Sequence, residues 1–483
     1  MRGVWTAEQI RAAEAAMMRH VPGETIMRRA AFGLAGYVRG ALPAGVVGRR
    51  VVLLVGAGHN GGDALWAGWE LRRRGVAVSA VLLVPERAHE PGLVALRRAG
   101  GRVVGAGGAD AAVRRADLVI DGIVGISGRG ALREPGAALV AAAHDAGVPV
   151  VAVDLPSGVD TDTGEVHEPA VAAAATVTFG ARKPVHVLAA PQCGPVHLVD
   201  LGLGPYLPPP HAHVLDAADV AARWPVPGPS DDKYSQGVVG IAAGSATYPG
   251  AAVLATGAAV LATSGMVRYA GTAADAVHAR WPEVVATPDV DASGRTQAWT
   301  VGPGSGTDDA GRATVEAALA RDVPLCLDAD AITLLAQHAD LRKAVHGRPI
   351  VLTPHAGEFA RLAGDVGPDR VGAARRAAAE LGATVLLKGN ATVVADPDGR
   401  VLVHPSTSAW AATAGSGDVL SGILGALLAA GLEPWWAAGC AAYVHACAAE
   451  LAADGAPAPA SMLQAAIPAA VRAIRNQVDQ VHD

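Results

Sequence analysis

"VVLLVGAGHNGGDA", Val51 to Ala64, decides how the first half of this chain folds. Five consecutive apolar residues, Val51–Val55, run into a glycine-rich turn and then a helical stretch. A continuous apolar run, unlike an alternating one, marks a parallel strand covered by helices on both faces. The turn holds G-x-G-x-x-G at Gly56, Gly58 and Gly61, and Glu86 ends the next strand. That spacing brings backbone amides at a helix N-terminus up to a phosphate, and alone it fits a Rossmann dehydrogenase. The tip of the turn argues otherwise. His59, Asn60 and Asp63 are polar where a plain dinucleotide turn uses small residues. A carboxylate beside a pyrophosphate repels it unless it holds something else.

The same strand–turn–helix rhythm extends outward. VAVSAVLLV (Val76–Val84), DLVID (Asp117–Asp121) and VPVVAVD (Val148–Asp154) read as further parallel strands. "LGLGPYLPPPHAH", Leu201 to His213, then breaks the pattern, because three successive prolines continue neither a helix nor a central strand. Beyond it VVGIAAG (Val238–Gly244), PLCLDAD (Pro324–Asp330), PIVLTPH (Pro349–His355) and TVLLKG (Thr384–Gly389) restart it. The expected fold class is α/β in two domains: 1–205, a Rossmann-like three-layer sandwich, and 216–483, joined by a proline-rich linker at 206–215. In such sheets ligands bind beyond the C-terminal strand ends, so the informative residues should follow the strands.

Bulk composition excludes several classes. Among 483 residues, 39 Lys and Arg against 45 Asp and Glu give a net charge of −6, which speaks against a nucleic-acid surface. The uncharged run between Lys233 and Arg268 is split by Pro249-Gly250 and carries Gln236, Ser245, Thr247, Thr256, Thr263 and Ser264. It reads as a buried strand plus a buried helix, not a membrane span. The N-terminus has no apolar secretory segment, and the four cysteines lack a CxxC pair. Reduced thiols, a cytoplasmic location, no nucleic-acid or membrane partner, and a homo-oligomer are expected. His20, His144 and His186 belong to no ligand-type cluster and read as surface or core residues.

Two more strand ends add chemistry to the first half, "DGIVGISGRGALR" after Leu118 and "DLPSGVD" after Val150. Asn60, Asp121 and Ser157 would project from strand ends into one crevice. One carboxylate with neutral oxygens suits a large, weakly charged cation better than Mg²⁺. GAGHNGGDA, DGIVGISGRG and DLPSGVD together resemble the NAD(P)HX epimerase domain of the YjeF N-terminal type, over most of residues 1–205. The resemblance implies NADHX and NADPHX, the hydrated nicotinamide nucleotides, as substrates and K⁺ as a site ion. It implies substrate contacts at His59, Asn60, Gly61, Gly62 and Asp63, and at Gly125, Ile126, Ser127, Gly128, Arg129, Gly130 and Ala131. It also implies K⁺ held by Asn60, Asp121 and Ser157, and Asp154 as the acid/base that interconverts the R and S hydrates. A carboxylate suits that task if burial raises its pKa toward neutrality. This chain has His59, Ala64 and Glu14 where the family more often shows Asn, Gly and Asp.

In the second half "TAGSGDVLSG", Thr413 to Gly422, is a glycine turn that feeds an apolar helix. It lacks the Lys-Ser/Thr of a P-loop and puts Asp418 where an anion would sit. A carboxylate belongs there if the phosphoryl group is being transferred. The Gly415–Gly417 amides then stabilise its charge while Asp418 deprotonates an attacking hydroxyl. An isolated GSGD is equally a helix cap. Here it is joined by LKGNATVV (Leu387–Val394), LTPHAGEFARL (Leu352–Leu362), VGPGSGTDD (Val301–Asp309) and LDADAI (Leu327–Ile332). The set resembles the ribokinase-like, ADP- or ATP-dependent NAD(P)HX dehydratase domain over residues 216–483. That implies nucleotide binding by Lys388, Gly389, Asn390, Ala391, Thr392 and Gly417. It implies that His355, Gly304 or Gly306, Asp418 and a small residue near Ala252 face the hydrated nicotinamide. Asp418 would be the catalytic base, and Glu358 would help to place Mg²⁺. The chain as a whole is expected to be a bifunctional repair enzyme. The rivals are a ribokinase-like kinase for a small alcohol and a non-catalytic N-terminal binding module.

Overall fold

The computed structural model describes residues 1–43, 45–263, 265–405 and 409–482. Two compact units form, Gly3–Ala212 and Met1–Arg2 with His213–Asp483.

The first unit is built on a seven-stranded parallel sheet. Its order is Arg102–Val103, Ala77–Leu82, Arg50–Val55, Leu118–Gly122, Val150–Val153, Ala175–Phe179, Val196–Val199. The continuous apolar strand meets two helical layers. Val51, Leu53 and Val55 pack with Leu34, Val38, Leu65 and Leu71 of the helices Gly23–Ala41 and His59–Arg72. Val52 and Leu54 pack with Val113, Leu139 and Val140 of the helices Ala106–Arg114 and Gly136–Asp145. The α/β three-layer expectation therefore holds.

Chain order reverses between Arg50–Val55 and Leu118–Gly122, so the sheet's switch point, where a crevice opens, lies directly after Val55. Gly56 stands there. A Cβ at this position would come within 1.9 Å of the Ile123 carbonyl oxygen, so only glycine lets the two strand ends pass. Gly56→Ala should destabilise the first unit by ~3 kcal/mol or more, read as a fall in its unfolding temperature.

In the second unit seven parallel strands run in the order Val285–Thr287, Met266–Ala270, Val238–Ala242, Ala298–Val301, Leu325–Leu327, Ile350–Leu352, Thr384–Leu387. The antiparallel strands Ala391–Ala395 and Val401–Pro405 follow. The uncharged run becomes the buried strand Val238–Ala242 and the helix Pro249–Ala262, packed on the helix Ser416–Ala429. No helix among the described residues is long and apolar enough to cross a membrane. Cys193, Cys326 and Cys440 are buried and Cys447 is half-buried, all as free thiols.

Candidate active sites

In the first unit the residues gather at the C-terminal strand ends. Asp154 follows the strand Val150–Val153 with φ +69, a left-handed conformation uncommon outside glycine. Its Oδ1 accepts from Lys183 Nζ at 2.5 Å, Thr178 Oγ1 at 2.9 Å and the Phe179 amide at 3.4 Å. Lys183 is 1% exposed and also donates to Thr178 Oγ1 at 2.9 Å and the Phe179 carbonyl at 3.2 Å. The Asp154 carbonyl accepts from His186 Nε2 at 2.8 Å, and His186 Nδ1 accepts from the Lys183 amide at 3.0 Å.

This geometry corrects the expectation that burial brings Asp154 toward neutrality. Burial does push its pKa up, but the Lys183 ammonium outweighs it, and Asp154 lies below the ordinary carboxylate value. The upward shifts fall on its neighbours instead. Asp63 is raised well above its ordinary value by burial and by the charges of Asp154 and Glu14. Glu14 is raised by burial, against the pull of Lys183. Three carboxyl groups thus share the surroundings of one ammonium.

Asn60, Asp121 and Ser157 do come together. Asp121 is fully buried; its Oδ1 accepts from Ser157 Oγ at 2.7 Å and the Ile123 amide at 3.2 Å, and its Oδ2 from the Ser157 amide at 2.9 Å. Burial, against these hydrogen bonds, pushes its pKa to about 6. Asn60 Nδ2 donates to two converging carbonyls, Val124 at 3.0 Å and Val153 at 2.7 Å. Gly125, Ser127, Gly128, Arg129, Gly130 and Ala131 line a cavity of about 420 Å³ that Gly56 also borders. Ile126 packs instead beside two small apolar clusters. Gly61 and Gly62 are buried as close-packing positions, against Gly56 and against Met27 and His89, while His59 is exposed.

In the second unit Gly415 (φ +87) caps the helix Ser416–Ala429, placing Gly417 and Asp418 in its first turn. Lys388 Nζ lies 2.8 Å from Asp328 Oδ1 and 3.9 Å from Glu358 Oε2. Burial disfavours its charge, but Asp328 and Glu358 more than restore it, and its pKa is raised. Ser421 Oγ donates to Asp328 Oδ2 at 2.5 Å, so one buried carboxylate ties the lysine to the helix. A Cβ on Gly417 would stand 3.4 Å from Lys388 Nζ, so the bare helix turn and the ammonium face one space. Burial, then the charge of Asp328, lifts Asp418 to about 7, with Lys388 opposing.

Lys388, Gly389, Asn390, Thr392, Gly417 and His355 border one cavity of about 420 Å³. Ala391 lies buried in its strand. His355 caps the helix Ala356–Ala363, its Nδ1 accepting from the Gly357 amide at 3.0 Å and the Glu358 amide at 3.2 Å. Glu358 Oε2 accepts in return from the His355 amide at 2.8 Å, and Oε1 lies 3.3 Å from His355 Nε2. Both Glu358 oxygens thus lie against His355. The Gly306 amide donates to Asp330 Oδ2 at 2.9 Å. Gly304 faces Ala251 and Tyr248, both 3.0 Å from where its Cβ would lie. Of the small residues there, Ala252 is fully buried in the core against Gly244, while the half-buried Ala251 faces Gly304.

Sequence reasoning missed Lys183 and His186, and gave no role to Asp328, Ser421 or the cavity-lining His404 and His445. Lys183 follows the strand Ala175–Phe179, so the strand-end rule that located the others also pointed to it.

Two α/β units, each with its polar residues at C-terminal strand ends, define a two-domain enzyme whose second half carries a glycine turn opening an apolar helix. Family models agree: residues 23–185 match the YjeF-related protein N-terminus, and residues 239–470 match NAD(P)H-hydrate dehydratase. The chain is 59% identical over 440 residues to a bifunctional NAD(P)H-hydrate repair enzyme of Mycobacterium tuberculosis, covering 89% of this chain and 90% of that one. It is 57% identical over 462 residues to its counterpart in Mycobacterium leprae, covering 95% and 96%. A ribokinase-like superfamily protein from Enterococcus faecalis shares the fold of the second unit, with a TM-score of 0.50 at 24% identity over 55% of this chain and 96% of that one. The chain belongs to the bifunctional NAD(P)H-hydrate repair enzymes. The kinase and dehydrogenase alternatives are not favoured.

Proposed function

We propose that the first unit interconverts the R and S hydrates of NADH and NADPH at Asp154 and Lys183. The second unit dehydrates the S hydrate at Asp418 with ADP or ATP, Mg²⁺ arriving with the nucleotide. The observation that carries the reading is Asp418: a carboxylate lifted to about 7 in the first turn of a helix, next to Gly417, which faces the Lys388 ammonium. Lys388, Gly389, Asn390 and Thr392 bind the nucleotide phosphates, and the Gly417 amide faces the transferred group. Asp418 takes the proton of the hydrate's hydroxyl as its oxygen bonds to the terminal phosphorus and the phosphoanhydride bond breaks. Loss of the new phosphate ester with a ring proton then restores the double bond, releasing NAD(P)H, phosphate, and AMP or ADP.

Asp121 supports K⁺ in the first unit. It is a fully buried carboxylate with no ion-pair partner among the described residues, close to the carbonyls of Val124 and Val153 that meet at Asn60. K⁺ would supply the missing positive charge and order the strand ends beside Asp154. Replacing K⁺ by N-methylglucamine should slow R-to-S conversion ~10-fold, followed by chromatography of the two epimers. An unchanged rate removes the ion from the site.

The test of the whole reading mixes the chain with R and S NADHX, Mg²⁺ and K⁺, with and without ADP or ATP, and follows the return of NADH absorbance. Full recovery of both epimers only with nucleotide is expected. No recovery with either nucleotide, together with a stable phosphorylated product, returns the chain to the kinase class.

A further inference from the structure

His186 closes a ring of contacts around the Asp154–Lys183 pair. The left-handed backbone of Asp154 turns its carbonyl onto His186 Nε2 at 2.8 Å. The same imidazole accepts the Lys183 amide on Nδ1 at 3.0 Å, and the lysine side chain returns to Asp154 Oδ1 at 2.5 Å. A carbonyl at Nε2 and an N–H at Nδ1 leave one arrangement of protons: neutral imidazole with its hydrogen on Nε2. Burial and the Lys183 charge push the His186 pKa down to about 4, so the ring stays in that state at neutral pH. It is 4% exposed, and both nitrogens are committed to backbone, so it exchanges no proton with a substrate.

We propose that His186 is a positioning residue of the epimerisation site, clamping the strained Asp154 turn to the Lys183 backbone so that carboxylate and ammonium stay in register. The proposal rests on the reading of Asp154 and Lys183 as that site. Without the clamp, the direct link between Asp154 and Lys183 among the described residues is the flexible lysine side chain. Small displacements of reacting groups lower turnover far more than they lower affinity.

The test is His186→Phe in the full chain, which keeps the ring's bulk and removes both hydrogen bonds. R/S interconversion is followed by chromatography without nucleotide, so that dehydration is idle. Epimerisation kcat should fall ~30-fold with KM within about twofold of wild type, while S-hydrate dehydration with nucleotide stays unchanged. Wild-type epimerisation kcat, or a lowered unfolding temperature with unchanged kcat per folded molecule, overturns the assignment. If the Phe variant does not fold, His186→Gln is read by the same kcat and KM criteria. Asp154→Asn, run alongside, separates the two claims. If it keeps full epimerisation, the reading of the site fails and the His186 role with it. If it loses epimerisation while His186→Phe does not, only the His186 role fails.

Discussion

Asp418→Asn should bind ADP or ATP as wild type does and lose S-hydrate dehydration by ~10³-fold, within the range that a positioned general base contributes. The nucleotide contacts assigned to Lys388–Thr392 and to the Gly417 amide do not involve the Asp418 carboxylate, and Asn preserves the size of the side chain. Calorimetric titration with nucleotide and NADH return from S-NADHX separate binding from chemistry. Near-normal turnover removes Asp418 from the role of base. Wild-type pH dependence gives an independent reading. Burial and the charge of Asp328 raise Asp418 to about 7, and a base works only when deprotonated. Dehydration should be half-maximal near pH 7 and fall about tenfold per unit below it. An Asp at its ordinary value would leave the rate flat down to about pH 5.

The second large effect is at Lys183. Lys183→Met keeps the stem and removes the ammonium paired with Asp154. Breaking a buried ion pair by deleting one partner costs ~3–5 kcal/mol, so the first unit should melt earlier. Epimerisation should drop ~10²-fold or more as the Asp154 charge state is lost. The pH dependence of stability changes sign. In the wild type Asp154 lies below its unfolded value, so its contribution is complete above about pH 4 and is lost as pH falls through the folded pKa. Without Lys183, burial raises the folded pKa above the unfolded one. The variant is then most stable in acid and weakens as pH rises toward neutrality. Thermal unfolding of the first unit at pH 5 and pH 8 checks this; equal shifts at both would show that the pair is not ionised.

Much of this was legible because the chemistry follows the strands. Continuous apolar runs such as Val51–Val55 gave both sheets, and the glycine turns after them led to Asn60, Asp121, Asp154, Lys388 and Asp418. What stayed hidden depends on partners distant in sequence. The charge state of Asp154 is set by Lys183, 29 residues on, so no local motif carries it. His186 reads as an ordinary core histidine until the Asp154 carbonyl is seen to turn onto it. That Ala251 faces Gly304 while Ala252 turns to Gly244 is a matter of helix phase, since one residue rotates a side chain by about 100°. Asp328 sat inside a motif already noted, but its function is a bridge to Lys388 and Ser421 that only the fold assembles.

The burial of Val51–Val55 beneath helices on both sides has a consequence for redesign. Each of those positions is answerable to one packed layer or the other, so the strand has little freedom to accept new side chains. Freedom begins past Gly56, at the exposed tip of the turn around His59. Altering which hydrated nucleotide is accepted is therefore a matter of rewriting short loops while the strands stay as they are. Engineering libraries confined to exposed loop positions, with Gly56, Gly61 and Asp154 held fixed, would sample specificity with less risk to folding.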